Sequence, residues 1–509
     1  MTTYVFFIGG TGARVLRSLT MLLASGVSIG QNNEIVPIVI DYDAENGDLK
    51  ISKELLANYI KLNGYAKYEN NESGFFGASI KMEKYSMVNI KVDDEKDTFA
   101  RYIDYRSLDQ DTKKFLDTLY DNSEMGAPTT ELNLNLGVGF KGNPNIGSVV
   151  FNDYFRQKEY GYTDFENGFP KKNDGSRVFI VGSIFGGTGS SGLPQLVKKF
   201  RTSNIEFLKA APIGACVVLP YFTVGINEKS AINSNTFNSK AKAALTYYND
   251  EINSKVDEIY YIGCDSHDGT YENVEGAKDQ KNDAHVVELL SAMSIVEFAT
   301  RSFDVNNTNR STQCYEYTTS TGIEEKDNKA VLKKTSYLNL LGASMKNDLT
   351  QDKKDNIYAK YVRYMNAFAY FNKYSQDYTF AGKDAGGFMG IGEEPYYSQL
   401  KKWGILNNNS SFGKDLLSFL NAYEIWANQM ANNSQLKFHP YSFDKKDLDL
   451  LLNIEDTTTK IKNIVKTMRL ELSKANDEYS KNSVEGKEGG IFIRMGTKAG
   501  LAAADKKDN

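Results

Sequence analysis

The residues of this chain best suited to chemistry lie in three glycine-rich segments and one pair of acids. The first segment is Tyr4-Val5-Phe6-Phe7-Ile8-Gly9-Gly10-Thr11-Gly12-Ala13-Arg14-Val15-Leu16, an apolar run that ends in glycines. The second is Phe185-Gly186-Gly187-Thr188-Gly189-Ser190-Ser191-Gly192-Leu193-Pro194, preceded by the apolar run Arg177 to Gly182. The third is Leu136-Gly137-Val138-Gly139-Phe140-Lys141-Gly142-Asn143-Pro144-Asn145-Ile146-Gly147. Glycine lets the backbone approach a ligand closely, and a helix that starts in such a turn aims free N–H groups at it. That arrangement suits phosphate. No Gly-Lys-Ser/Thr follows any of the glycines, so none is a Walker A loop. The acids are Asp41 and Asp43, on alternate positions after the apolar run Ile35 to Ile40. In a dinucleotide-binding enzyme an acid here holds a ribose hydroxyl. Gly10-x-Gly12 fits that alternative, but the third glycine of its fingerprint falls on Val15.

These groups need a scaffold, and the pattern supplies one. Each of the first two segments reads as buried strand, turn and helix, with helices to about Ala24 and from Gln195 to Arg201. Pro212 to Phe222 reads as a further strand with a Pro-aromatic exit. A helix from about Ala231 to Glu251 and a strand from Val256 to Gly263 follow. Strands alternating with crossovers of this length predict an α/β parallel sheet.

The order of the motifs resembles the tubulin/FtsZ superfamily over about the first three-fifths of the chain. Gly186-Gly187-Thr188-Gly189, small residues and Pro194 look like that family's signature loop, with Ser191 where the family has glycine and Phe185 where a small residue is usual. The first segment looks like its first phosphate loop, with Ala13 at the position of the family's asparagine. Asp43 matches the aspartate of Asn-Thr-Asp-Ala, and Asp41 replaces the asparagine. Gly137, Gly139, Asn143, Pro144 and Gly147 keep the spacing of the loop that senses the terminal phosphate. Lys141 replaces a glycine there, and either adds a charge at that phosphate or points to solvent.

The resemblance implies GTP or GDP as ligand, with Mg²⁺ organised near the acids; Mg²⁺ usually keeps several waters. It implies phosphate contacts from Gly9, Gly10, Thr11, Gly12 and Ala13, from Gly139, Lys141, Gly142 and Asn143, and from Gly186, Gly187, Thr188, Gly189 and Ser190. It also implies a central helix, read here over about 281–303, roughly 33 Å long at 1.5 Å per residue. The family's base-reading Asn or Asp sits at the start of this helix, where Asn282 and Asp283 are the candidates. His285, one turn on, either edges the base or stands behind a capping Asn or Asp. In tubulins, a loop after this helix places an acid against the nucleotide of the next subunit. Asp304 is the candidate and Glu297 the fallback, although the full loop motif is absent. Head-to-tail self-association follows from the family alone. A nucleotide-loaded scaffold that recruits a protein partner through its C-terminal half is the alternative.

The rest of the sequence is less specific. The 509 residues, 41% hydrophobic and 25% charged, allow two or three domains. A net charge of −5 argues against nonspecific nucleic-acid binding. No apolar run is long enough to span a bilayer, and the chain starts directly in a strand, so a cytoplasmic protein without a leader is expected. Cys216, Cys264 and Cys314 lie far apart and suggest neither a disulfide framework nor a zinc site, and His267, His285 and His439 lack metal spacing. The stretches 264–281 and 304–335 are polar and read as loops, the second marking a boundary between a nucleotide-binding domain, 1–303, and a divergent, mostly helical α+β domain, 304–509. In that second domain, strands are expected near 334–345 and 490–495, and helices at 355–374, 416–431 and 457–479.

Overall fold

The computed structural model describes residues 1–317, except 31, 44, 67–74, 90–96, 121–129, 157–160, 226–235, 264–269, 274–277, 279 and 305–309. It also describes 410–431, 470, 489–490 and 493–494. The strands are β1 (Thr2–Ile8), β2 (Glu34–Asp41), β3 (Ser79–Ile80), β4 (Met87–Asn89), β5 (Arg177–Ser183), β6 (Ile213–Val218), β7 (Thr223–Val224), β8 (Glu258–Ile262), β9 (Thr270–Tyr271) and β10 (Gln313–Tyr317). The helices are α1 (Gly9–Ala24), α2 (Gly47–Ala66), α3 (Phe99–Tyr102), α4 (Gln110–Leu119), α5 (Pro144–Arg156), α6 (Tyr162–Gly168), α7 (Gly187–Arg201), α8 (Glu206–Ala210), α9 (Phe237–Glu251), α10 (Val286–Thr300) and α11 (Ser411–Ala431).

The main sheet runs β10-β8-β6-β5-β1-β2-β3, with β4 also on β2, and every pairing in it is parallel. Parallel strands are covered on both faces, which is why β1 and β5 read as continuous apolar runs. Alternate side chains feed two cores. Val5 and Phe7 join the core under α1, α2, α10 and α11, whereas Tyr4, Phe6 and Ile8 join the one under α5, α6 and α7. Pro37 sits inside β2 without harm. The outer neighbours of β2 pair with it at Glu34–Ile35 and Val39–Asp41, and Pro37, which has no N–H to donate, falls in the gap between them.

From β1 the chain builds outward through β2 to β3, then returns to place β5 on the other side of β1. The order of strands therefore reverses between β1 and β5. Ligands of open parallel sheets bind outside the carboxyl ends of strands at such a point, and two of the glycine segments leave from those two ends.

Three expectations change. The central helix is shorter than the reading over 281–303: it spans Val286–Thr300, about 22 Å. Its start is fixed by a capping box in which His285 Nδ1 accepts from Val287 N at 3.2 Å and Glu288 Oε2 accepts from His285 N at 3.2 Å. Neither polar stretch is loop throughout: β9 in 264–281 pairs with β7, and β10 in 304–335 adds to the sheet edge beside β8. Tyr315 is buried there and stacks on Tyr260 at 4.9 Å, a contact hidden by the polar residues around it. The described residues of 490–495 are helical rather than extended. The strand at 334–345 and the helix at 355–374 lie outside the described residues, as does that at 457–479 except for residue 470.

The helix expected at 416–431 is present as α11, and it does not stand apart. It packs into the same core as α1 and α2, with Phe419 against Phe76 at 5.0 Å and Trp426 Nε1 donating to Ser18 Oγ at 3.4 Å. No helix among the described residues is long and apolar enough to cross a membrane.

Candidate functional site

The carboxyl ends of β1, β2 and β5 open on a cleft of about 920 Å³, its solvent-open mouth included. Two helices start at its floor with no side-chain cap and no acid in the first turn: α1 directly after Ile8, and α7 after Gly186. Their first-turn N–H groups and dipoles favour an anion.

Close packing brings the three glycine segments together around Thr188. A methyl group on Gly9 would lie 3.2 Å from Thr188 Cβ, and one on Gly139 would lie 3.6 Å from Thr188 Oγ1. A methyl on Gly187 would be 2.6 Å from Phe140 Cβ. The segment 139–142 is held in an unusual shape, with φ of +83° at Gly139, +44° at Lys141 and +79° at Gly142. The two glycines adopt this region freely, but a lysine does so at a cost. Lys240 on α9 fastens the turn by donating from Nζ to Gly142 O at 2.7 Å. Burial lowers the Lys240 pKa, opposed by Glu131.

Of the residues singled out from the sequence, Gly9, Gly10, Thr11, Asp41, Asp43, Gly139, Lys141, Gly142, Gly186, Gly187, Thr188, Gly189 and Asn282 line this cleft. Gly12, Ala13, Asn143, Ser190, Asp283 and Asp304 do not. Gly12 lies against β1, where a Cβ would come 2.6 Å from the Phe7 carbonyl carbon. Ala13 is buried, and its carbonyl accepts from Ser52 Oγ at 2.7 Å. Asn143 O takes the Gly147 N–H at the start of α5. Ser190 turns its hydroxyl back onto Gly186 O. Asp283 is exposed, and its carbonyl accepts from Tyr271 OH at 3.0 Å. His285 is buried as the cap of α10, and burial, with Arg14 nearby, pushes its pKa down to about 3. It is a neutral structural group, not a wall of the cleft. Glu297 is tied to Arg301 at 2.6 Å.

Asp304 lies toward the amino ends of the strands, opposite the cleft. The end of α10 meets the start of β5, where Arg177 Nη1 donates to Phe298 O and Arg301 O, and exposed Asp304 follows, its carbonyl accepting from Arg310.

Sequence reasoning missed several wall residues. Arg14 lies one helical turn after Gly10, so i, i+4 spacing was the available signal. Its guanidinium reaches Glu288 Oε1 at 2.7 Å, Asp48 Oδ2 at 3.1 Å and Tyr221 OH at 2.8 Å, all buried. Burial opposes its charge, but Tyr221, Glu288 and Asp48 outweigh burial and hold its pKa well above the ordinary value. An aromatic wall comes from Phe185, Phe222 and Phe237, with ring centres 5.1–5.5 Å from Phe185 to the other two. Asn46 and Gln280 also line the cleft. Gln280 lies in a polar stretch with no periodicity to place it.

Asp41 is buried at the cleft, and desolvation pushes its pKa up to about 7, with neighbouring Asp43 adding to the rise and backbone hydrogen bonds opposing it. No group of three His, Cys, Asp or Glu able to hold a metal is found among the described residues. Asp41 and Asp43, two carboxylates at the cleft, suit an ion that takes one or two carboxylates and draws its other ligands from phosphate and water, as Mg²⁺ does. The raised pKa has a consequence for stability. The folded chain holds the Asp41 proton over the window from 3.8 to about 7, where the unfolded chain has released it. Stability of the unliganded protein from this group therefore falls as pH rises through that window and is flat above it. Asp41→Asn is expected to remove that slope and to stabilise the unliganded protein at pH 8. Urea melts at pH 5, 6 and 8 check this, and a variant with the same pH slope as the wild type would contradict it.

No family model matches the chain, and no curated protein matches it.

Proposed function

We propose that the chain is a tubulin-like GTP-binding protein that hydrolyses GTP to GDP and phosphate between copies stacked head to tail. The observation that carries this reading is the meeting of three glycine segments and two acids in one cleft, at the reversal point of a parallel sheet. The starts of α1 and α7, with Gly9, Gly10, Thr11 and Gly186 to Gly189, take the phosphates. Gly139, Lys141 and Gly142 face the terminal phosphate, where Lys141 adds positive charge. Asp41 and Asp43 hold Mg²⁺, which offsets phosphate charge. Phe222 and its aromatic neighbours pack on the base or ribose, and Asn282 reads the base.

Asp304 is remote from this cleft within one chain. In this reading, stacking a second copy along the same direction brings Asp304, at the amino ends of the strands, to that copy's cleft, where its carboxylate would orient the attacking water. Placement and electrostatics carry most of phosphoryl transfer, and a head-to-tail contact of this kind does not close on itself. Turnover of GTP and ATP across protein concentrations, read with light scattering, tests the reading. The expected result is GTP turnover that rises steeply with concentration together with scattering, and falls by at least about 100-fold in Asp304→Ala with GTP binding kept. Unchanged turnover in that variant removes Asp304 from the mechanism.

A second reading is favoured by one contact. Gln429 on α11 accepts from Ala284 N at 3.1 Å, two residues from Asn282. A nucleotide-loaded scaffold could pass cleft occupancy to a protein partner of the C-terminal region by this route. Tight GTP binding without turnover or scattering at any concentration would favour it.

A further inference from the structure

Two side-chain amides of the cleft are oriented by groups whose hydrogen-bonding sense is fixed. Leu49 N donates to Asn46 Oδ1 at 3.1 Å. A backbone N–H can only donate, so Asn46 must turn its Nδ2 outward, and it donates to Gln280 Oε1 at 2.5 Å. Gln280 then has its Nε2, a donor, left for a ligand. On the neighbouring position, Asn282 Nδ2 faces Asp48 Oδ2 at 3.4 Å, and that carboxylate, paired with Arg14 at 3.1 Å, only accepts. Asn282 therefore offers Oδ1, an acceptor. The backbone holds both in register: Asp48 N donates to Gln280 O at 3.1 Å, and Asn282 N donates to Asp48 Oδ1 at 3.0 Å. Asn46, Gln280 and Asn282 all line the cleft.

We propose that the relay from Leu49 N–H through Asn46 to Gln280 sets which purine the cleft accepts, with Asn46 as the positioning residue. The proposal rests on the nucleotide reading above. Guanine shows an acceptor, O6, beside a donor, N1–H. Gln280 Nε2 donates to O6 and Asn282 Oδ1 accepts from N1–H. Adenine in the same pose sets its N6 amino group against a donor and its bare N1 against an acceptor. A site that leaves buried polar groups facing their own kind discriminates strongly.

The relay makes a prediction that a simple contact does not. In Asn46→Asp, one carboxylate oxygen still accepts from Leu49 N, so the start of α2 stays capped. The other oxygen can only accept. Gln280 must then flip, donate Nε2 to that oxygen, and show Oε1 to the base. Gln280→Glu reverses the same edge from the other side of the relay. Binding of GDP and ADP by calorimetry, in the wild type and both variants, is the test. The added negative charge weakens both ligands alike and cancels in their ratio. The expected result is a wild-type preference for GDP that shrinks by at least about tenfold in both variants, with ADP gaining relative to GDP. An unchanged ratio in both variants, with binding kept, overturns the relay and leaves the nucleotide reading standing. A wild type that binds neither nucleotide overturns both.

Discussion

If the cleft hydrolyses GTP as proposed, Gly187→Ala is expected to reduce turnover by about 100-fold, the cost typical of a 1 Å misplacement at a reacting centre. The added methyl would lie 2.6 Å from Phe140 Cβ, 2.9 Å from the Phe140 carbonyl carbon and 3.0 Å from Gly142 N. Two of these three are backbone atoms, so no rotamer change relieves the clash. Phe140 cannot retreat, because it is buried against Tyr42 at 4.5 Å and Phe151 at 6.2 Å. The strain must therefore separate the start of α7 from the turn that carries Gly139, Lys141 and Gly142. Overpacking of this kind costs about 1–3 kcal/mol of stability, which leaves the fold in place while the cleft is misassembled. Gly64→Ala is the control. Nothing lies within 4 Å of a methyl group there, and its position inside α2 makes alanine the better helix former. Turnover and affinity measured on both variants, with circular dichroism on the same samples, decide the matter. A Gly187→Ala protein with wild-type affinity and turnover would show that the two loops do not act together.

The strand-and-loop half of this architecture was legible because its signals are local. β1 and β5 are continuous apolar runs, and the glycines that follow break them abruptly, so the carboxyl ends of both strands could be placed from sequence alone. The start of α10 was not legible. Asn282 and Asp283 look like caps, but the cap is His285, chosen by the return bond from Glu288 and by the burial of both. Histidine is an uncommon cap, and the competition was settled by packing on Tyr221, 4.8 Å away. β10 escaped notice for a similar reason. An edge strand buries only part of its surface, and its buried Tyr315 is diluted by polar neighbours. Gln280 and Asn46 reach the cleft through bonds to each other across 234 residues of sequence, and no periodicity records such a contact.

Arg14 was visible as a residue but not as a keystone, and its removal carries the second large effect. Arg14→Met is expected to destabilise the protein by about 3–5 kcal/mol, the cost of leaving buried charge without its partner. Both acids it serves are buried: Glu288 shows 0% and Asp48 1% of its surface. Arg17 is no substitute, since its Nη2 stands 3.9 Å from Glu288 Oε2 and donates instead to Asn282 O at 3.2 Å. Without Arg14, Glu288 keeps the Tyr221 hydroxyl at 2.8 Å and the His285 N–H but loses its closest cation. Adding Glu288→Gln to Arg14→Met should recover part of the loss, because the uncompensated charge disappears with it. A double-mutant cycle in urea at pH 8 reads the coupling directly. A loss below about 1 kcal/mol at pH 8 would mean that the cluster of α1, α2 and α10 is held by its apolar contacts alone. In that case Arg14, which also lines the cleft, would have to be explained by the ligand and not by the fold.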